Sequence, residues 1–79
     1  MEHEDYMREA LALAREAAAA GEVPVGCVIV RGGEIVGRGR NRREETQRTS
    51  SHAEMEAIRQ ANGRLGSWRL EDCTLYVTL

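Results

Sequence analysis

Two β-rich runs joined by Gly32-Gly33 constrain the fold of this chain most strongly. Residues 25–31 contain four Val or Ile residues and residues 34–40 contain Ile35 and Val36, and a two-glycine loop between β-rich runs is typical of a tight antiparallel hairpin. The short loop also sets the pairing register. It predicts that Ile29 faces Val36.

The same register places Gly26 opposite Gly39, near the open end of the hairpin. Pro24 comes just before the first strand. Because proline has no N–H group, it suits a strand entrance and would weaken a strand interior.

A helix is predicted before the hairpin. Apolar residues recur at three-to-four spacing between His3 and Ala20, which indicates an amphipathic helix. Gly21 is expected to end it in a left-handed conformation. The expected apolar stripe consists of Met7, Ala10, Leu11, Ala14, Ala17 and Ala18.

A second helix is predicted from His52, after a polar segment. Asn62-Gly63 is expected to close it, and Ser50 or Ser51 can cap its first amides. Its expected buried stripe is Met55, Ile58 and Ala61. The final run, Cys73 to Leu79, alternates apolar and polar residues and predicts a third strand.

The predicted order of elements is α-β-β-α-β. A right-handed crossover through the second helix makes the second and third strands run in the same direction and lets the first strand lie between them. Ligands of open α/β sheets bind beyond the carboxyl ends of such strands. Val23-Pro24, Asn41 and His52 are therefore expected to meet at one end of the sheet.

Composition indicates one small globular domain. The chain has 79 residues, of which 42% are hydrophobic and 30% charged, and it contains no run of eighteen apolar residues that would cross a membrane. The N-terminus is acidic, unlike a secretory signal. We therefore expect a cytoplasmic protein without membrane contact, with Cys27 and Cys73 as reduced thiols outside the candidate site.

Positive charge is concentrated although the net charge is −2. All 11 basic residues are arginine, and five of them crowd into one segment, namely Arg38, Arg40, Arg42, Arg43 and Arg48. Guanidinium groups there could pair with phosphates. The alternative is a solvated hairpin edge partly neutralised by Glu44 and Glu45.

The pair His52 and Glu54 at the start of the second helix indicates a candidate zinc hydrolytic site. A catalytic zinc ion usually has three protein ligands and one open position for water. A nearby carboxylate that is not a ligand can then move protons. By itself the three-residue pattern is weak, because a histidine near a helix start is more often a surface or core group.

The surrounding motifs make the pattern specific. The chain resembles the bacterial tRNA-specific adenosine deaminases, the TadA family, from about Asp5 to its last residue. The matching motifs, in order, are Glu22-Val23-Pro24-Val25-Gly26, Asn41-Arg42, the run from His52 to Ala61, and Thr74-Leu75-Tyr76-Val77-Thr78-Leu79. The resemblance implies the front half of a three-layer α/β/α cytidine-deaminase-like fold, with a mixed sheet in the strand order 2-1-3.

The resemblance also implies roles for individual residues. His52 would bind Zn²⁺, together with two cysteines of a Pro-Cys-x-x-Cys motif that this sequence does not contain, and Glu54 would be the catalytic acid and base. Asn41, Val23 and Pro24 would bind the substrate. Residues 1–79 would then be the incomplete amino-terminal half of a deaminase domain, inactive alone.

The implied reaction is hydrolytic deamination of adenosine to inosine at the wobble position of tRNA. The implied partners are a tRNA anticodon loop, with Arg42, Arg43 and Arg48 as expected phosphate contacts, and a second copy in a homodimer of the complete protein. Two alternatives remain: a related deaminase of guanine, cytosine or cytidine, and a non-catalytic remnant or interaction fragment.

Overall fold

The computed structural model describes residues 3–42, 52–67 and 69–78. The elements follow the predicted order α-β-β-α-β. They are α1 (His3–Ala19), β1 (Gly26–Arg31), β2 (Glu34–Arg40), α2 (Ala53–Leu65) and β3 (Cys73–Val77). Each strand and helix lies within two residues of its predicted bounds, apart from the end of α2.

The three strands form one sheet in the order β2-β1-β3, which confirms the predicted order. β1 pairs antiparallel with both neighbours, so β2 and β3 run in the same direction, as the crossover predicts. The mixed pairing implied by the resemblance is not present between the described strands. The reason is that β1 separates the two strands that share a direction.

The helices cover opposite faces of the sheet and produce three layers. On one face, Tyr6 of α1 packs with Val28, Val30 and Tyr76. On the other face, three alanines of α2 pack with the remaining inward residues of the hairpin, namely Cys27, Ile29 and Val36. Both faces of β1 are therefore buried, which explains why its sequence is a continuous apolar run.

The hairpin register differs from the prediction because of a β-bulge. The pairs next to the loop are as expected, but the register then shifts, so that Ile29 faces Gly37 instead of Val36. By the same shift, Gly26 faces Arg40 and not Gly39. Two residues of β2 oppose one of β1 at a bulge, and loop length alone contains no information about that extra residue.

The bulge turns Gly37 and Gly39 toward α2. A Cβ atom on Gly39 would overlap the carbonyl oxygen of Ala53 and lie 2.7 Å from the amide nitrogen of Ala57. A Cβ atom on Gly37 would overlap the carbonyl oxygen of Ala57 and lie 3.1 Å from the Cβ atom of Ala61. These glycines let the backbone of α2 rest directly on β2.

This close approach changes the buried stripe of α2. Ala53, Ala57 and Ala61 are fully buried, whereas Met55 is 47% exposed, so the predicted stripe is wrong for Met55 and right for Ala61. Larger side chains would hold the helix away from the two glycines. The helix also continues through the predicted Asn62-Gly63 stop and ends at Leu65, followed by the C-cap residue Gly66 with a left-handed φ of 65°.

The predicted stripe of α1 is confirmed for three of its alanines and is wrong for Leu11 and Ala18, which are exposed. Its buried residues are Tyr6, Ala10, Ala14 and Ala17, while Leu11 is 41% exposed. Gly21 has the predicted left-handed conformation, with φ of 79°. In the described part of the chain, no helix is long and apolar enough to cross a membrane.

Candidate active site

One end of the sheet gathers the ends of all three strands. The N–H of Asn41, just after β2, donates to the carbonyl oxygen of Val25 at 3.3 Å, and the N–H of Thr78, just after β3, donates to that of Gly26 at 3.0 Å. Val23 and Pro24 precede this start of β1 and are exposed. The predicted convergence is therefore present.

Asn41 joins this end of the sheet to the start of α2. Its side chain is buried, and its Oδ1 atom accepts a hydrogen bond from the N–H of Ala53 at 3.0 Å. This bond satisfies one of the amides that the first turn of a helix leaves without an intrahelical partner. Asn41 thus caps one amide of α2, and the predicted capping residues Ser50 and Ser51 lie outside the described residues.

His52 occupies the N-cap position of α2 with an extended backbone (φ −80°, ψ 153°). Its side chain makes no capping hydrogen bond and is exposed. Because Asn41 caps the helix instead, the imidazole of His52 is not required for local structure. It is therefore available to bind a ligand.

Glu54 lies in the first turn of α2 and is half-buried. Its carboxylate is close enough to Cys27 for its charge to act on that thiol. Burial, and then the charge of Glu54, raise the pKa of Cys27 from its ordinary 9.0 to about 12. Cys27 therefore belongs to the surroundings of the site, contrary to expectation, as a protonated thiol beside the candidate catalytic carboxylate.

Cys73 lies at the other end of the sheet, as predicted. It pairs with Arg31, whereas Cys27 pairs with Val77 near the candidate site. Cys27 and Cys73 are not joined by a disulfide. The position of Cys73 rules it out as a ligand beside His52.

Thr78 is a structural residue that the sequence patterns did not single out individually. It is buried, and its Oγ1 atom accepts a hydrogen bond from the N–H of Gly26 at 2.9 Å. The bond continues the pairing between β1 and β3 past the last residue of the strand. Its only signal in the sequence is its place in the motif Thr74–Leu79.

Glu56 has a structural partner next to the site. Its carboxylate lies 2.9 Å from Nε of Arg42 and 3.4 Å from Nη1 of Arg59. The pair with Arg42 joins the segment after β2 to α2, beside the cap made by Asn41. The other two predicted phosphate contacts, Arg43 and Arg48, lie outside the described residues.

The described residues contribute His52 as a candidate zinc ligand but do not form a complete metal site. Across residues 3–42, 52–67 and 69–78, no group of three His, Cys, Asp or Glu side chains could hold a metal ion. His52 has the right chemistry and a free imidazole, but zinc needs further protein ligands. The described residues thus fit one part of a zinc site and not a whole one.

Comparison with known protein families decides how this arrangement is classified. The family model described as "Cytidine and deoxycytidylate deaminase zinc-binding region" matches residues 1–79. The chain belongs to this deaminase family. The α/β/α layers and the placement of His52 and Glu54 at the start of α2 are thus features of a deaminase-family chain.

Curated relatives narrow the resemblance within the deaminase family. The chain is 53% identical over 74 residues to a tRNA-specific adenosine deaminase of Streptococcus pyogenes serotype M18 (strain MGAS8232), covering 94% of this chain and 46% of that protein. It is 54% identical over 74 residues to the protein of the same name from Bacillus subtilis (strain 168), with the same coverage. The expected resemblance to this group is confirmed, and the chain spans about half the length of these relatives.

Solved structures of deaminases share the fold. One, from a study of A-to-I editing by tRNA:A34 deaminases at the wobble position of transfer RNA, superposes with a TM-score of 0.94 at 41% identity, covering 99% of this chain and 60% of that one. A guanine deaminase from Bacillus subtilis superposes with a TM-score of 0.92, also at 41% identity, covering 98% of this chain and 50% of that one. These superpositions confirm the predicted fold class.

Proposed function

We propose that this chain contributes the amino-terminal part of a zinc-dependent deaminase that converts adenosine to inosine at the wobble position of tRNA. The observation that carries the proposal is the placement of Glu54 in the first turn of α2, beside a free His52 at the N-cap. The names of the curated relatives support adenosine in tRNA as the substrate.

Glu54 would carry the protons of the reaction. Hydrolytic deamination replaces the exocyclic amine of adenine with the oxygen of water and releases ammonia. A carboxylate within hydrogen-bond reach can accept a proton from the water and donate protons to the ring nitrogen and the leaving amine. A zinc ion, when bound, lowers the pKa of a water molecule so that hydroxide is available near neutral pH.

His52 would be one zinc ligand, and the remaining ligands would come from outside these 79 residues. Zinc sites of this chemistry use one His and two Cys, whereas Cys73 is at the wrong end of the sheet and the side chain of Cys27 is fully buried in the core. We therefore propose that residues 1–79 act only together with a cysteine-bearing segment and are inactive alone.

The substrate would lie at the end of the sheet where the strands converge. Val23 and Pro24 are exposed there and would form a wall of the pocket, and Asn41 would hold the nucleoside through the side-chain amide that does not cap α2. Arg42, Arg43 and Arg48 would contact phosphates of the anticodon loop. A cytoplasmic homodimer of the complete protein is part of the same proposal.

Guanine deamination is the second candidate, because the Bacillus subtilis guanine deaminase superposes on this chain almost as well as the tRNA deaminase. A chimera of residues 1–79 with the remaining part of the Bacillus subtilis tRNA-specific adenosine deaminase would test both candidate reactions. We expect inosine in an anticodon stem-loop RNA and no deamination of free guanine, cytosine or cytidine. Turnover of a free base without turnover of RNA would reverse the assignment.

A further inference from the structure

A groove beside the edge strand β2 concentrates arginine. It has a volume of about 580 Å³ and lies between β2, α1 and α2. The charged and amide side chains that line it are Arg38, Arg40, Arg42, Glu56, Arg59 and Gln60. Among the residues that the structure describes, four arginines thus share this groove with one carboxylate, on a chain whose net charge is −2. The groove is a local positive site on an acidic chain.

Two ion pairs that described arginines of this groove make are weak enough for a ligand to replace. Arg59 lies 3.4 Å from Glu56, and Arg38 lies 3.9 Å from Glu9. The side chains of Arg59 and Arg38 are 56% and 47% exposed, and ion pairs at such exposure contribute at most about 1 kcal/mol. A ligand with several negative charges can therefore take over these guanidinium groups.

The groove starts at the candidate active site and leads away from it. Arg42 directly follows Asn41, and Glu56 lies one helical turn after Ala53. From Arg42 back to Arg38 the strand covers about 13 Å at roughly 3.3 Å per residue. In double-stranded DNA each strand carries one phosphate per about 3.4 Å of helix axis, so a length of about 13 Å is enough to contact more than one phosphate of a nucleic acid.

We propose that this groove binds the phosphodiester backbone of the RNA on one side of the reacting nucleoside, with Arg38, Arg40 and Arg59 as phosphate contacts beyond Arg42. Planar guanidinium groups bind phosphate oxygens in a bidentate manner. The identity of the ligand as RNA rests on the proposed function. Because clusters of arginine also bind acidic peptides, polyglutamate is the probe that separates the two ligands.

RNA binding by matched double variants tests this proposal. Fluorescence anisotropy would measure the Kd of the purified chain for a labelled anticodon stem-loop between about 50 and 200 mM salt. Arg38→Gln with Arg59→Gln should weaken binding about tenfold and lower the slope of log K against log salt by about 0.7–0.9 per lost contact. The control pair, Arg15→Gln with Arg69→Gln, removes the same charge outside the groove and should change the Kd less than about twofold.

Glu56→Gln provides a test in the opposite direction. It removes the carboxylate that competes for Arg42 and Arg59 while keeping the shape of the side chain, so RNA should bind several-fold more tightly. A purely structural role of Glu56 would not tighten binding. Far-ultraviolet circular dichroism of each variant would show that the fold is retained.

Three results would overturn the proposal: no RNA binding by the unaltered chain at low salt, equal weakening by the groove and control pairs, or tighter binding of polyglutamate than of RNA.

Failure of the groove proposal can be distinguished from failure of the proposed function. Inosine formation by the chimera with an unchanged Kd in the groove variants would refute the groove alone. Weakened RNA binding in those variants, with no inosine formed by the unaltered chimera, would refute the proposed reaction alone.

Discussion

The Oδ1 atom of Asn41 accepts a hydrogen bond from the N–H of Ala53 at 3.0 Å, which joins the end of β2 to the first turn of α2. This bond caps the helix from another element, and the side chain of the N-cap residue itself, His52, makes no capping hydrogen bond. Asn41 thus caps α2, and His52 is left for the proposed chemistry at the start of the helix. The proposed substrate contact of Asn41 would use its other amide atom.

Substitution of Asn41 separates these two roles. Asn41→Ala removes the cap and should destabilise the chain by about 1 kcal/mol, as other cap deletions do. Asn41→Asp keeps an acceptor oxygen at the cap but loses the amide donor, so stability should return while deamination by the chimera stays impaired. Urea unfolding and an inosine assay measure the two effects. Full activity in Asn41→Asp would show that Asn41 acts only through the helix.

The contact between Gly39 and Ala53 predicts that α2 cannot tolerate a side chain beneath it. Gly39→Ala should destabilise the chain by about 2–3 kcal/mol, because the added methyl group meets helix backbone that cannot move aside cheaply. Gly63→Ala is the matched control. Gly63 lies in the same helix, and a Cβ atom there would meet no other part of the structure within 4 Å. That variant should gain about 0.5–1 kcal/mol. Thermal melts that rank the two variants in the reverse order would contradict the packing described for α2.

The raised pKa of Cys27 predicts that the free energy of unfolding falls at alkaline pH. Its thiol has a pKa of about 12 in the fold against an ordinary value of 9.0, so the unfolded chain releases this proton first. The contribution is fully present below pH 9 and is lost as the pH rises toward 12, at about 1.4 kcal/mol per pH unit. Urea unfolding at pH 8 and pH 10 should show the loss in the unaltered chain and in Cys73→Ala.

Cys27→Ala should lack this part of the pH dependence, because the group that titrates differently in the two states is gone. Glu54→Gln should reduce it, since the charge of Glu54 is the second cause of the raised pKa. If Cys27→Ala loses as much stability between the two pH values as the unaltered chain, the thiol is not responsible.

Local patterns predicted the elements and their order. The Gly32-Gly33 loop, the three-to-four spacing of α1 and the left-handed Gly21 all depend on residues close together in the sequence. Strand order followed from the handedness of crossovers. The elements were predictable because each has a signal within a few residues, and the strand order was predictable because crossover connections have a fixed hand.

The features that the sequence did not predict depend on contacts between distant elements. The bulge in β2 and the alanine stripe of α2 arise together, because Gly37 and Gly39 must face the helix for it to approach. The cap by Asn41 and the effect of Glu54 on Cys27 likewise join residues that are 12 or more positions apart. In the candidate site, His52 and Glu54 were found from their spacing, whereas their neighbours required the fold.

The central claim is tested most directly in the chimera with the Bacillus subtilis tRNA-specific adenosine deaminase. Inosine formation and zinc content would be measured for its variants Glu54→Gln and His52→Ala. Glu54→Gln should bind zinc stoichiometrically yet lose at least about a hundredfold in rate, because only the proton carrier is removed. His52→Ala should lose both zinc and activity. Near-normal turnover by Glu54→Gln, or full zinc occupancy in His52→Ala, would contradict the roles assigned to these two residues.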